Sequence, residues 1–367
     1  MKKTLQIGGA LLGLLLLLAG GYVLYLQLTY YRIPDHQHLA VKNAQQRVLK
    51  VNHAYTATTY NVGFGAYNSK YSFFMDTGET KQGKKTRGKC GTARSKAAVL
   101  KSTRFVIKEI KKQRPDFALF QEIDTNSTRS FHVNQVKMVE AAFPHLAGVF
   151  ASNFHSAYLI VPPTNPHGKV RSGLLTLSCF KISSAERRKY PVSSHFIEKF
   201  VDLDRAFTVL TLPVNNGKKL ILINSHMSAY DKGGKMRAAQ LKLLTAVMKR
   251  EAAAGNYVIV GGDFNHALGK GIMTHFKTNQ KVPSWVSKLT QADLSKNFRI
   301  VKADNYWTTP TVRGTDTAYH PGKTYTTVVD GFIVSKNVSA VAHNLQTNFA
   351  ETDHNPVRLT FKLKGTD

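Results

Sequence analysis

The sequence predicts an α/β protein with mixed β-sheets, preceded by one apolar N-terminal segment. Three observations predict it. Short β-rich runs alternate with amphipathic helical stretches at both ends of the region from about residue 52 onward. The stretch between them, residues 145–225, is mainly β in pattern. No internal repeat and no linker interrupts residues 52–365, so that region reads as one domain.

In chain order, Met1, Lys2 and Lys3 precede an uncharged, leucine-dominated stretch from Ile7 to Leu26. At roughly 20 residues it is long enough to span a bilayer. The leading lysines predict a cytoplasmic N-terminus with the bulk of the chain outside, although Arg32, Lys42, Arg47 and Lys50 beyond the stretch oppose that bias. The rival reading is a signal peptide cleaved at Ala19-Gly20-Gly21, which would release a secreted protein. The anchor is preferred because the apolar stretch continues past those glycines. Residues 1–29 are therefore expected to be a cytoplasmic tip and single-pass anchor in the cell membrane. Residues 30–51, rich in His, Gln, Lys and Asn, are expected to be a stalk, and residues 52–367 the folded domain.

Residues 54–60 (AYTATTY) read as a strand, followed by a long polar loop, 65–95, full of Gly, Lys and Ser. Val99, Leu100, Thr103, Val106, Ile107 and Ile110 then share a helical face. Arg114-Pro115-Asp116 stops that helix, and FALF (117–120) is a strand. SGLLTLSCF (172–180) and KLILINSH (219–226) are strands, and 234–252 is a helix whose Met236, Gln240, Leu243, Leu244, Val247 and Met248 share a face. NYVIVGGDFN (256–265), TYTTVVDGFIVS (324–335) and PVRLTFKL (356–363) are the remaining strands.

Composition bounds the partners. Of 367 residues, 43% are hydrophobic and 20% charged, as suits a folded protein. Lys plus Arg number 51 against 22 Asp plus Glu, a formal net charge of +29. That excess selects anionic partners: nucleic acid, acidic lipid headgroups or wall polymers. It is spread along the chain rather than held in one tail. Cys90 and Cys179 make no disulfide framework; they could form one bridge, but two unpaired thiols are the preferred reading, since Cys179 sits in an apolar run. No Cys-x-x-Cys or His-x-x-x-His spacing suggests zinc.

Several apolar runs end in short polar side chains. The first strand ends in Thr59-Tyr60-Asn61, FALF in Gln121-Glu122, LILIN in Ser225-His226, VIVGG in Asp263 and Asn265, and TTVV in Asp330; the last loop carries Thr352-Asp353-His354-Asn355-Pro356. In α/β sheets ligands bind at the carboxyl ends of strands. One such residue is a turn former. Six sets are a supply of oxygen ligands plus two imidazoles. Oxygen ligands suit a hard divalent cation, and imidazoles suit proton transfer near neutral pH. Together they fit metal-assisted hydrolysis of a phosphate ester.

The ordered set Thr-x-Asn, Gln-Glu, Asn-x-His, Gly-Asp-x-Asn, Val-Asp-Gly and Thr-Asp-His-x-Pro-Val, spanning about 55–362, resembles the endonuclease/exonuclease/phosphatase superfamily. That superfamily includes deoxyribonuclease-I-like nucleases, inositol polyphosphate phosphatases and bacterial sphingomyelinases. The resemblance implies a four-layer sandwich of two mixed β-sheets flanked by helices. It also implies Mg²⁺ as cofactor, with Mn²⁺ or Ca²⁺ as alternatives. By the same resemblance Glu122 is the main metal ligand, with Asn61 and Asp353 near it. Asp263 and Asn265 face the attacking water and a phosphoryl oxygen. His354, oriented by a carboxylate that is Asp330 or a neighbour, is a base or a phosphate-stabilising imidazole, and His226 is the second imidazole. Arg205 and Asn224 support the substrate. Two features depart from the pattern: Cys179-Phe180, and the long loop 65–95, whose Arg87 and Arg94 are expected to grip a neighbouring phosphate.

These readings predict a phosphodiester-cleaving hydrolase, first of all an exported, membrane-tethered nuclease, with no obligate protein partner evident. A phospholipase-C-like or sugar/lipid phosphatase shares every catalytic residue with that reading. A non-catalytic basic binding protein would not need Glu122, Asp263, Asn265, Asp353 and His354.

Overall fold

The computed structural model of the chain describes residues 2–196, 198–229 and 235–365. Helix α1 (Lys2–Thr29) buries none of its residues. Among the described residues it is the one helix long and apolar enough to cross a membrane.

The domain is built from β1 (Ala54–Asn61), α2 (Lys96–Gln113), β2 (Phe117–Asp124), α3 (Gln135–Ala142), β3 (Ala147–His155), β4 (Arg171–Ser178), β5 (Ser184–Lys189), β6 (Ala206–Pro213), β7 (Lys219–His226), α4 (Lys235–Ala253), β8 (Tyr257–Asp263), β9 (Phe298–Val301), β10 (Asp330–Ser335), β11 (Val338–Asn344) and β12 (Val357–Leu363). One sheet runs β11-β12-β1-β2-β4-β3; the other runs β5-β6-β7-β8-β10-β9, with the two-residue strand Gln37–His38 added beside β5. Each is mixed for the same reason: one parallel pair, β1/β2 or β7/β8, sits among antiparallel neighbours. Parallel neighbours need a crossover, and α2 and α4 supply it.

The four-layer expectation holds. Strand period 2 sends Leu220 and Leu222 of β7 into the core between the sheets, with Leu119, Ile259 and Leu359. Ile221 and Ile223 pack outward with Leu244, Val247 and Met248 of α4. On the other sheet, Ala118 and Phe120 pack outward against Val106 and Ile110 of α2 and Val136 of α3. Strands buried on both faces read as unbroken apolar runs, which is why KLILIN and YVIV were recognisable. Ser95 caps α2 by accepting from the Ala98 N–H at 3.1 Å. The helix expected over 234–252 is Lys235–Ala253, residue 234 lying outside the described residues. Both cysteines are free.

Two segments are more structured than their composition suggests. Residues 30–51, expected as a stalk, lie along the domain. Gln37–His38 pairs with β5, Lys42 bridges to Gly148 of β3, and Leu49 is fully buried between the sheets. The loop 65–95 is an ordered flap: Phe64, Tyr67, Tyr71, Phe73 and Ala93 form a small core with Val99. Its two strands, Thr77–Glu79 and Lys85–Arg87, pair with each other. Glu79 forms an ion pair with Lys281.

Candidate active site

The inner faces of both sheets end together. Counting by twos from the core, β1 brings Asn61 to that end, β7 brings His226, and β8 brings Asp263. Asp330, the first residue of β10, is paired with Asp263. Thr352–Asn355 precede β12 and deliver Asp353 and His354. The carboxyl ends of the two parallel pairs thus meet at one place, which gathers five of the six expected strand ends.

Glu122 reaches the same place by a different device. Gln121 faces inward and Ile123 outward, so a regular strand would have no inward slot for Glu122. The β2/β4 register shifts between Phe120 and Ile123, and Glu122 has φ of 53°. This bulge inserts Glu122 as the extra residue and aims its carboxylate into the cleft. A left-handed backbone at a non-glycine residue is strained, and such strain gathers at functional sites.

The polar contacts form one network. The Asn61 amide nitrogen donates to Glu122 Oε1 at 3.1 Å and to Asp263 Oδ2 at 3.0 Å, while its oxygen accepts from the Gly63 N–H at 3.0 Å. Asn61, expected as a metal ligand through oxygen, therefore presents its NH₂ to the two carboxylates. The Asn265 N–H donates to Asp263 Oδ1 at 2.8 Å, and the Asn265 amide donates to the Met227 carbonyl at 2.8 Å. His354 Nδ1 lies 2.8 Å from Asp330 Oδ2, and its Nε2 lies 3.8 Å from Asp263 Oδ2. Arg205 donates to His226 Nε2 at 2.8 Å and to the Met227 carbonyl at 3.0 Å.

Burial and charge set the protonation of this network. Burial disfavours a charged His354, but Asp330, Asp263 and Asp353 outweigh it and raise the imidazole to about 10. His226 is driven the other way, first by burial and then by Arg205, and stays neutral. Burial raises Asp353 to about 7, with Glu122 adding and His354 and Arg313 opposing. Burial, with Asp330, also raises Asp263. In both carboxylates burial comes first and outweighs the opposing pull of His354, so each holds a proton more tightly than an exposed acid does.

The cluster floors a cleft of about 840 Å³, into which Glu122, Arg205, His226, Asp263, Asn265, Asp353 and His354 project. Three substrate-binding expectations are corrected. Asn224 is fully buried one row deeper than His226. Its oxygen accepts from Gln121 at 2.8 Å, and its NH₂ donates to Phe120 and Leu175 carbonyls and Thr176, tying the sheets together. Arg87 is exposed and donates to the Phe74 carbonyl at 3.2 Å; Arg94 is exposed and donates to the Lys70 carbonyl at 2.9 Å. Both hold the flap to itself, and neither lines the cleft.

Sequence reasoning missed Arg129 and Arg313, two buried cleft arginines. Arg129 makes a two-pronged contact with Asp124 at 3.2 and 2.9 Å and lies 4.0 Å over Phe64. Arg313 donates to carbonyls of Tyr67 and Asn68 in the flap at 3.3 and 3.0 Å. Arg129 sits in a single 3-10 turn, Thr128–Ser130, and Arg313 in a two-residue strand, both too short for periodicity to mark them; the acid five residues before Arg129 was the one usable signal.

Known proteins agree with this geometry. The model of the Endonuclease/Exonuclease/phosphatase family matches residues 58–354. Among solved structures, the endonuclease/exonuclease/phosphatase from Beutenbergia cavernae DSM 12333 is 13% identical, over 86% of this chain and 72% of that one, with TM-score 0.56. An endonuclease/exonuclease/phosphatase family protein from Leptotrichia buccalis C-1013-b is 13% identical, over 84% and 99%, with TM-score 0.53. D. rerio TDP2, complexed with single strand DNA product, is 13% identical, over 85% and 100%, with TM-score 0.52. At these identities the likeness concerns the fold. No curated protein matches the sequence.

Proposed function

The chain belongs to the endonuclease/exonuclease/phosphatase family and is a hydrolase of phosphoester bonds; from that premise we propose that it is a divalent-metal-dependent phosphodiesterase acting outside the cell membrane. The observation that carries the reading is the Asp330–His354–Asp263 line beside the Glu122 and Asp353 carboxylates on the floor of one cleft. Asp263, Asp330 and His354 offer ligand atoms within 4.8 Å of one another, yet that group already contains the positive charge of His354. Glu122 and Asp353 stand outside that group on the same cleft floor, and their oxygens suit Mg²⁺. They are the residues that would hold the ion, with Asn61 joining if its amide turns over. When bound, the ion supplies Lewis-acid polarisation of a phosphoryl oxygen.

The chain's own groups divide the remaining work. Asp263, held by Asn265 and Asn61 with its affinity for protons raised, is suited to take the proton of the attacking water. His354 is protonated, so it stabilises charge on the phosphoryl oxygens rather than acting as base. His226 has Nε2 engaged by Arg205 and is suited to aim that guanidinium at the phosphate. Water adds to phosphorus, the ester P–O bond breaks, and the departing oxygen leaves as an alcohol.

A nucleic-acid substrate is supported by the net charge of +29 and by the fold shared with a TDP2 seen with a DNA product. A lipid substrate is supported by the apolar lining of the cleft. The test uses the full chain in detergent with Mg²⁺ on bis(p-nitrophenyl) phosphate. Turnover that disappears with EDTA and in His354→Ala supports the reading; turnover indifferent to both rejects it.

A further inference from the structure

The catalytic cluster occupies only the floor of the cleft, and its apolar walls play no part in the chemistry above. Four parts of the chain build them: Val23 and Leu26 of α1, Met75 of the flap, Val161, and Phe196 with Val201. All six line the same cavity as Glu122, His226 and Asp263. They are not core residues: Phe196 is 55% exposed, Val161 52% and Met75 38%. Connected apolar surface left open to water, at about 25 cal/mol per Å², marks a binding or membrane site.

The anchor is docked to this wall. Tyr22 donates its hydroxyl hydrogen to the Tyr158 carbonyl at 3.1 Å, and the Tyr158 N–H donates to the Tyr25 hydroxyl at 3.0 Å. Lys199 donates to the Gln27 side-chain oxygen at 2.8 Å. Tyr22, Tyr25, Tyr30 and Tyr31 cluster where the apolar stretch ends, the pattern of residues seated at headgroup level. A bilayer crossed by α1 therefore meets the mouth of the cleft at its surface.

A polyanion would need cations along a track. The cleft offers instead one charged floor and a mainly apolar wall, in which Lys235 is offset by Glu198 and Asp202; Arg129 and Arg313 are already engaged, and Arg87 and Arg94 lie outside it.

We propose that the substrate is a bilayer phospholipid, its phosphate on the floor and its acyl chains against a wall that the anchor helix itself completes. The inference rests on the phosphodiesterase reading and on α1 remaining attached. The step consumes water: the water oxygen bonds to phosphorus, the P–O bond to one alcohol breaks, and that alcohol takes a proton. A phosphate monoester remains.

The test reconstitutes the full chain in nanodiscs of phosphatidylcholine and phosphatidylglycerol with Mg²⁺. Phospholipid consumption is compared with hydrolysis of bis(p-nitrophenyl) phosphate, for the native chain and for Leu26→Ser and Phe196→Ser. The native chain should consume lipid, and each variant should lower the ratio of lipid to soluble-ester turnover at least tenfold. A native chain that splits the soluble ester and single-stranded DNA but spares lipid overturns the inference and leaves the phosphodiesterase reading standing. An unchanged ratio in both variants also overturns it. A chain inert toward ester, lipid and DNA alike takes the phosphodiesterase reading down with it.

Discussion

His354 and Asp330 are buried together, Nδ1 to Oδ2 at 2.8 Å, and the pair leaves Nε2 as the imidazole's free donor toward the cleft. Asp330→Asn should loosen the orientation of the ring and lower its proton affinity. Turnover of bis(p-nitrophenyl) phosphate should fall roughly 10²-fold or more, within the range of a lost charge-stabilising donor. A loss under tenfold, with the melting temperature unchanged, would place the electrostatic partner elsewhere.

Metal dependence has a readout apart from activity. A cation that binds the folded chain alone stabilises it by about 2.7 kcal/mol at a hundredfold excess over its dissociation constant. Mg²⁺ should raise the melting temperature of the native chain, and Glu122→Gln should abolish most of that rise. An equal rise in both would move the ion away from Glu122.

Acid should weaken the fold through His167. Its ring is buried among Phe64, Phe73 and Phe154, with Nδ1 2.5 Å from the Gly91 carbonyl. Burial, then Arg129, pushes it down to about 3. The unfolded chain takes up this proton near pH 6.5 and the native chain does not. Stability is therefore intact above about pH 6.5 and declines as pH falls toward 3, by about 2 kcal/mol at pH 5. His167→Asn should lose less stability between pH 7 and 5 than the native chain in denaturant titrations; equal losses would exonerate His167.

The flap arginines give a sharp negative expectation. Arg87 and Arg94 bond to flap carbonyls, so replacing both with Ala should change KM on a soluble phosphodiester less than twofold. A several-fold rise would restore them as substrate contacts.

Orientation can be read on intact cells. Protease added outside should remove the domain and leave the tip of α1 behind. Protection until lysis would reverse the orientation, and a mature N-terminus at Tyr22 would make the protein secreted.

Most of the scaffold and much of the site were legible in the sequence. Apolar runs that end in Asn61, His226 and Asp263 announce themselves, because sheets buried on both faces leave polar residues mainly at strand ends. Asn224 shared that signature and was misread: it lies on the face of His226 but two residues deeper, and depth along a strand is invisible to a pattern of period 2. The bulge at Glu122 was equally invisible, since alternation would turn that residue outward. Arg129 and Arg313 gain their importance from contacts made across loops. The segment 30–51 misled through composition: the apolar residues it packs against the core, Leu39, Val41, Leu49 and Val51, are scattered among polar ones.

That segment has a practical consequence. Gln37–His38 and Lys42 cover β5 and β3, the strands that otherwise stand last in their sheets. A chain cut at residue 52 would bare both margins and leave a void where Leu49 sits. Bare margins recruit strands from neighbouring molecules. Shortened forms that begin near residue 30 should stay monodisperse, whereas those that begin at 52 should self-associate.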